Sequence, residues 1–363
     1  MIGELNTTIT FPVKMKFWYI ILLAFAPALI ISCGKDSCID VPNGPKPISF
    51  SAGVSTITKA IKPDDPTVLL TVGNEASIFA TREYNDVPEQ VFSNLALHCD
   101  AVPNPSTPSN PLSSAWSYSP VAYWKDNGDY YFSGVFPYSS DKVSVDNTYA
   151  LRVSYSAGDN TDVMVARTHR DAAVSKDPVN LTFKHATSAV RFLFGKSSSS
   201  DSDQYELTSF QLENIIGVGE FSMATRVTGS PTITSSNWSV SNVYTTLFSW
   251  EADQVGDRKP ITHPTDVNDP DGYTAMGWYY MVPQTLSADA AVRFSVSYNG
   301  GAPVETVLNF YGATDHTSES GITWAPNQVY NYFITLNQSG LDLTVRAIPW
   351  DEVQVTTDDF NFE

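Results

Sequence analysis

Short stretches in which apolar and polar side chains alternate recur along most of this chain. One such stretch runs from 292 to 298 and another from 304 to 310, and Asn299-Gly300-Gly301 lies between them. A period of two places alternate side chains on one face of a β-strand. An Asn-Gly pair between two such stretches is a strong hairpin signal. These residues therefore predict an antiparallel hairpin.

The same pattern predicts strands through most of the chain after residue 47. Single strands are predicted at 48–54, 149–155, 162–166, 330–336 and 341–345, one or two at 68–80, and a strand pair at 179–183 and 189–194. Residues 118–138 are rich in aromatic side chains and are divided by Asp126-Asn127-Gly128, which predicts a second hairpin. No window after residue 33 has a convincing helical period. Many short strands separated by turn signals are typical of β-sandwiches.

The N-terminal segment differs, because an almost uninterrupted apolar run from Phe17 to Ile31 follows two lysines. A basic segment before a short apolar run is typical of a secretory signal. The run of about 15 residues is shorter than the roughly 20 that span a bilayer. Either Met1 or Met15 could be the start of translation.

The signal ends in Ile30-Ile31-Ser32-Cys33, which resembles the bacterial lipobox. In that motif the chain is cleaved between Ser32 and Cys33, and the Cys33 thiol takes a diacylglyceryl group. A further amide-linked chain, such as palmitate, gives the two or more acyl chains that stable anchoring needs. We predict a signal peptide at 1–32 and lipid attachment at Cys33, which would hold the protein on the outer membrane. The alternative is an ordinary signal peptide with an incidental cysteine.

Residues 33–47 are polar and rich in Pro and Gly, which predicts a tether. The remaining length suggests two domains. We place their boundary near Asp177-Pro178, so that the domains cover 48–177 and 178–363. The predicted fold class is all-β, with two β-sandwich domains in tandem after the signal peptide and tether.

The chain is acidic, with 39 Asp and Glu against 21 Lys and Arg and a net charge of −18. Loss of residues 1–32 removes Lys14, Lys16 and Glu4, which changes the net charge to −19. Such a charge repels nucleic acid and anionic lipid, and it favours solubility outside the cell. We therefore expect no nucleic-acid partner. Cys38 and Cys99 either form a disulfide in an oxidising compartment or remain two thiols, with Cys99 buried.

The residues that could carry chemistry do not form a recognisable catalytic or metal-binding motif. The five histidines are scattered, and no pair has the i, i+4 spacing of a zinc-binding helix. Gly217-Val218-Gly219 lacks the third glycine of a phosphate loop, and we interpret it as a bend in a strand. Residues 266–272 are the best metal candidate, but Pro270 stands where a calcium loop needs a ligand. A solvated turn is the favoured interpretation.

Six tryptophans could stack on sugars if they lay at the surface, although a β-sandwich core also needs aromatic side chains. They are Trp116, Trp124, Trp238, Trp250, Trp278 and Trp324. We favour the core for these residues. The sequence predicts no enzyme, no metal site and no cofactor other than the covalent lipid on Cys33.

Several short motifs, taken in order, resemble the fimbrillin family, the lipoproteins that include the type V pilins. The motifs are the lipobox at Cys33, Ile48-Ser49-Phe50, Thr58-Lys59-Ala60, Tyr123-Trp124, Tyr131-Phe132, Phe136-Pro137-Tyr138, Asp162-Val163-Met164-Val165-Ala166, Leu181-Thr182-Phe183-Lys184-His185, Met281-Val282-Pro283-Gln284, Trp324-Ala325-Pro326-Asn327-Gln328-Val329-Tyr330 and Trp350-Asp351-Glu352-Val353. The resemblance covers nearly the whole mature chain. It implies two transthyretin-like β-sandwich domains and a fimbrial or adhesive role at the cell surface.

The resemblance also implies an assembly mechanism. In type V pilins a trypsin-like protease cuts after the first strand, and a strand from the next subunit fills the groove that this strand leaves. Residues 48–54 would be the removable strand, and Lys59-Ala60 occupies the cleavage position, with Lys in place of the commoner Arg. The donor would come from residues 341–345, 353–355 or 360–362. The alternatives are that Lys59 is an ordinary loop residue and that the C-terminal strand completes its own domain.

The expected partners are other pilin subunits or further copies of this chain, the outer membrane through the lipid, and ligands on host or bacterial surfaces. The competing hypothesis is a monomeric surface lipoprotein that binds glycans.

Overall fold

The computed structural model describes residues 44–54, 72–101, 114–198, 202–266, 270–310, 323–337 and 340–349, and most of these residues lie in β-strands. The predicted all-β class is confirmed. The helical segments that lie wholly in these ranges are four 3-10 turns at Ala157–Asp159, Ser235–Asn237, Val255–Asp257 and Pro270–Gly272. Over the same residues no helix has the length and apolar character to cross a membrane.

The first half of the described chain contains nine strands that are named here in chain order. They are β1 Phe50–Val54, β2 Glu75–Tyr84, β3 Val87–Ala101, β4 Ser114–Ser117, β5 Asp129–Phe136, β6 Val143–Val145, β7 Ala150–Ser156, β8 Met164–Asp171 and β9 Val179–His185. The second half contains β10 Ser188–Lys196, β11 Tyr205–Ile216, β12 Val218–Ala224, β13 Trp238–Val240, β14 Tyr244–Glu251, β15 Lys259–Ile261, β16 Thr274–Met281, β17 Gln284–Thr285, β18 Ala291–Tyr298, β19 Val304–Asn309, β20 Thr323–Trp324, β21 Gln328–Asn337 and β22 Gly340–Pro349.

Seven of these strands form a closed sheet in the order β1-β4-β3-β2-β5-β8-β9. β1 joins the two ends, because it is antiparallel to β4 and parallel to β9. Buried and more exposed side chains alternate along β9. Its buried residues Val179, Leu181 and Phe183 lie in one apolar cluster with Phe132 of β5. Each strand of the closed sheet therefore has two neighbours while β1 is in place.

Two further sheets face each other in the second half of the chain. One has the order β16-β10-β21-β22 and the other β14-β11-β18-β19, with β15 also paired to β11. The rings of Phe192 and Phe194 on β10 lie 5.2 and 5.1 Å from those of Phe210 on β11 and Phe294 on β18. This aromatic layer is the core of a β-sandwich.

A fourth sheet, β13-β12-β7-β6, joins strands from the two halves of the chain. Its Leu151 and Phe221 belong to the same core as Phe79 and Val135, which come from the closed sheet. β11 passes into β12 through Gly217, as predicted for a strand bend. A Cβ there would lie 3.2 Å from the Thr245 side chain, so glycine allows a close approach of β14 at this bend.

Strand pairing crosses the predicted domain boundary at Asp177-Pro178 in two places. β1 pairs with β9, and β7 pairs with β12 over its full length. Residues before and after the boundary therefore share backbone hydrogen bonds. The division into 48–177 and 178–363 stays a prediction.

The two predicted hairpins have different outcomes. β18 and β19 pair in register around Asn299 and Gly300, which both have positive φ, so the first hairpin is confirmed. The second is wrong, since β5 pairs with β2 and β8 rather than with residues 118–125. That segment instead exchanges hydrogen bonds with residues 46–48. The predicted strands at 179–183 and 189–194 are β9 and β10, but they lie in different sheets.

Candidate functional site

The candidate site is the position of β1 in the closed sheet, together with the residues that hold it there. The β1 register is continuous from Phe50 opposite Val179 to Val54 opposite Phe183. Just before β1, the Val179 N–H donates to the Ser49 carbonyl at 2.8 Å. β1 therefore supplies backbone hydrogen bonds to β4 on one side and to β9 on the other.

At residues 48–50 the side chains of the first strand alternate in burial as the sequence predicts. Ile48 and Phe50 are buried, whereas Ser49 is exposed. The Phe50 ring lies 5.5–5.9 Å from the rings of Phe92, Tyr118 and Phe132, in tilted or edge-on contacts. Burial of a large aromatic side chain in such contacts is a major source of stability. Phe50 is thus an apolar anchor of β1.

Residues 118–125, which precede β5, pack over the start of β1. The Ile48 N–H donates to the Ala122 carbonyl, and the Trp124 N–H donates to the Lys46 carbonyl, both at 2.9 Å. The Tyr118 hydroxyl donates to the Ile48 carbonyl at 2.6 Å. Burial raises the pKa of Tyr118. This hydroxyl therefore remains a proton donor at neutral pH.

Loss of β1 would change the closed sheet in a defined way. β4 and β9 would each lose a hydrogen-bonded neighbour, and the contacts that Phe92, Tyr118 and Phe132 make with Phe50 would be replaced by water. An unpaired edge beside an apolar slot favours the addition of another strand. The arrangement can therefore accept a strand in place of β1.

The C-terminal strand β22 occupies an edge position. It pairs with β21 over ten residues, from Gln328 opposite Pro349 to Asn337 opposite Gly340. Among the described strands it has no second neighbour. Residues 341–345, one of the predicted donor segments, therefore complete their own sheet here. The other two, 353–355 and 360–362, lie outside the described residues.

The predicted processing residues also lie outside the described part of the chain. They are the signal cleavage and lipid residues Ser32 and Cys33, and the proteolytic site Lys59-Ala60. Cys38 lies outside it too, so the disulfide with Cys99 stays a prediction. Cys99 itself is buried in β3, as the alternative of two thiols predicts.

The described histidines are not grouped in one shared site. His98, His169 and His185 lie beside the carboxylates of Glu75, Asp129 and Asp162 respectively. Within the residues that the structure describes, no three His, Cys, Asp or Glu side chains are grouped as a metal site would require. Four of the seven residues of the candidate loop at 266–272 are described, and His316 falls in an undescribed range.

Sequence reasoning missed a buried polar cluster at the junction of β9 and β10. His185 Nδ1 lies 2.8 Å from Asp162 Oδ2, and the Thr187 hydroxyl donates to Asp162 Oδ1 at 3.0 Å. The Trp238 indole N–H donates to the Ala186 carbonyl at 2.9 Å. These bonds hold the turn where the chain leaves the closed sheet. Asp162 and His185 lie in two of the sequence motifs, but only the tertiary structure brings residues 162, 185 and 238 together, so the cluster itself has no local sequence signal.

The tryptophans lie mostly in the core, as favoured from the sequence. Four of the six candidates are buried, namely Trp116, Trp124, Trp238 and Trp324. Trp250 and Trp278 are half-buried, and one face of each is covered by a cation, Lys259 and Arg191 respectively. One face of each of these two rings is therefore unavailable to a sugar.

Comparison with known proteins identifies the family. A family model described as fimbrillin-like matches residues 58–350, which is most of the chain. The chain belongs to the fimbrillin-like family. This is the family that the order of the sequence motifs also indicates.

Two solved structures have a similar fold. A proposed cell adhesion protein from Bacteroides uniformis is 14% identical with a TM-score of 0.51, and the match covers 84% of this chain and 98% of that one. A fimbrial protein from Bacteroides vulgatus is 12% identical with a TM-score of 0.50, and covers 83% and 99%. At such low identity these similarities establish the fold alone. No curated protein matches the sequence.

Proposed function

We propose that this fimbrillin-like chain is a fimbrial subunit that is exported as an outer-membrane lipoprotein and assembled by removal of β1 and donation of a strand from the next subunit. The observation that carries this proposal is the position of β1, which alone joins β4 to β9 and so closes the seven-stranded sheet. Its removal would leave a slot of matching length.

The sequence around β1 supports the same proposal. Lys59 follows β1 by five residues, so cleavage after it would separate β1 from the remainder of the closed sheet. The released segment would carry Cys33 and its lipid, which would free the subunit from the membrane. Identical subunits joined head to tail by strand donation form an open filament.

Two substitutions in one short segment test the cleavage step. Lys59→Ala removes the proposed site, whereas Lys62→Ala is a matched control, since Pro63 follows Lys62 and makes that bond a poor protease substrate. Fimbriae isolated from cells should contain the wild-type chain and the Lys62→Ala chain beginning at Ala60. The Lys59→Ala chain should stay in the outer membrane with Cys33 at its N-terminus.

N-terminal sequencing and acyl labelling provide the measurements. Labelled fatty acid should appear on the uncleaved chain and disappear in Cys33→Ser. If the wild-type protein were recovered only as the Cys33-anchored monomer, the proposed polymerising role would be contradicted. If labelling failed with Cys33 intact, the lipid anchor would be contradicted.

A further inference from the structure

A cavity of 270 Å³ lies where the closed sheet meets the β6–β7 turn and β12. Its lining includes Phe79, Tyr131 and Tyr149, with polar side chains from Gln90, Ser93 and Thr225. Ligand pockets in proteins typically combine aromatic walls with a few polar groups and start at about 300 Å³. The cavity has this composition, and its volume lies just below that range, so it suits only a small ligand.

Two β-bulges in β3 lie beside the cavity and affect its shape. β3 has one extra residue between the pairs Ile78–Leu95 and Ala80–Phe92, and another between Ala80–Phe92 and Thr81–Gln90. Such bulges redirect side chains and are frequent next to functional sites. Here they occur at the part of β3 that supplies Gln90, Phe92 and Ser93 to the lining.

Tyr149 has an unusual backbone conformation. Its φ is 59°, in the left-handed region that bulky side chains rarely adopt. Asp146 holds this turn, because its Oδ1 accepts from the Thr148 and Ala150 N–H groups at 2.8 and 3.0 Å. On the other side, the Thr225 N–H and hydroxyl both donate to the Tyr149 carbonyl. Strain of this kind is retained where the surroundings over-determine it, often at binding sites.

Both tyrosine rings are held in place without a ligand. The Arg226 guanidinium lies 4.6 Å from the Tyr149 ring centre, and Glu83 pairs with that guanidinium. The Tyr131 ring lies 5.0 Å from the His169 ring, which is fixed by Asp129 at 2.7 Å. Rings that are already ordered lose less conformational freedom when a ligand binds.

We propose that this cavity binds one neutral pyranose ring, as at the end of a glycan chain. A pyranose has an apolar C–H face that packs on aromatic rings. Its hydroxyl groups match the amide of Gln90, the hydroxyl of Ser93 and the Thr225 oxygen, which can accept although its proton is donated to the Tyr149 carbonyl. The net charge of −18 disfavours an acidic sugar. Nothing in this proposal depends on strand donation, so it applies to an assembled fimbria and to a single subunit.

The test uses the full chain in detergent and the methyl glycosides of glucose, galactose, mannose, N-acetylglucosamine and fucose. Saturation-transfer NMR should detect binding of at least one glycoside. Tyr149→Gly removes the ring at a position whose φ suits glycine, so the fold should persist while affinity falls at least about tenfold. Gln90→Ala, which alters an exposed strand position, should also weaken binding.

Two variants serve as controls. Tyr149→Phe keeps the ring and should bind as the wild type does, and Tyr244→Ala changes a tyrosine that is 48% exposed on β14, outside the cavity lining. Circular dichroism and thermal melting confirm that each variant is folded. Binding of none of the five glycosides, or binding that is unchanged in both Tyr149→Gly and Gln90→Ala, would overturn the proposal.

Discussion

At the scale of single residues, Phe50 connects the first strand to the rest of the molecule. It is 6% exposed and meets three other aromatic rings. Phe50→Ala should lower the free energy of unfolding by about 3–5 kcal/mol, because it removes a buried ring and leaves a cavity. Urea denaturation of the full chain measures this change.

The matched control for Phe50 is Val87, which is 65% exposed at the start of β3. Val87→Ala should change stability by no more than about 0.5 kcal/mol, as is usual for a surface position. Equal, small effects of both substitutions would show that β1 is not anchored by its aromatic contact.

Residue types alone did not predict the cavity between Tyr131 and Tyr149 or the buried cluster of Asp162, His185 and Thr187. Tyr131 lies in β5 and Tyr149 in the β6–β7 turn, and they share a cavity only because these two elements meet. The tryptophans are the more obvious sugar-binding candidates in the sequence. Four of the six candidates are instead buried in the two apolar clusters. Side-chain exposure depends on packing between distant segments, so composition could not separate these cases.

At the scale of elements, the turn between β9 and β10 is held by the buried Asp162–His185–Thr187 cluster. Asp162→Ala would leave the His185 ring and the Thr187 hydroxyl without this buried partner. We expect a loss of about 2–5 kcal/mol in the free energy of unfolding. The change should appear in urea denaturation followed by tryptophan fluorescence, since Trp238 packs at this turn.

The chain contains a second His–Asp pair that serves as the control. Asp129 lies 2.7 Å from His169, but its side chain is 49% exposed. Asp129→Ala should therefore cost about 1 kcal/mol or less, because water replaces the lost partner. A cost for Asp129→Ala equal to that for Asp162→Ala would contradict the role assigned to burial.

Strand positions were predictable wherever alternation and turn residues agreed. The β18–β19 hairpin follows from period-two alternation on both sides of Asn299-Gly300, and β9 and β21 follow from their own alternation. The aromatic segment 118–125 was wrongly predicted as half of a hairpin. Its β-favouring residues cover the start of β1 and hydrogen-bond to residues 46–48, so a tertiary contact replaced the local pairing.

At the scale of the whole molecule, the closed sheet depends on a strand at the beginning of the described chain. A chain that starts at Ala60 should self-associate, because the edges of β4 and β9 would be unpaired beside an apolar slot. Light scattering should show oligomers of this shortened chain and a monomer of the full chain under the same conditions.

A synthetic peptide of residues 46–54, added in excess, should compete for the open slot and reduce the self-association. A peptide with Phe50→Asp is the matched control, since a charged side chain would be buried without a partner. If the shortened chain stayed monomeric and as stable as the full chain, β1 would have no role in masking an assembly surface.

The sequence by itself determined the all-β class, most strand positions and the acidic character, because these depend on local periodicity and on charge. The motif order also identified the family correctly. Only the tertiary structure decided that β1 closes a sheet by pairing with β9, that β7 pairs with β12 across the predicted boundary, and that two tyrosines share a cavity. These features depend on which strand edges and side-chain faces meet, and residues far apart in the chain meet only when the whole core is packed.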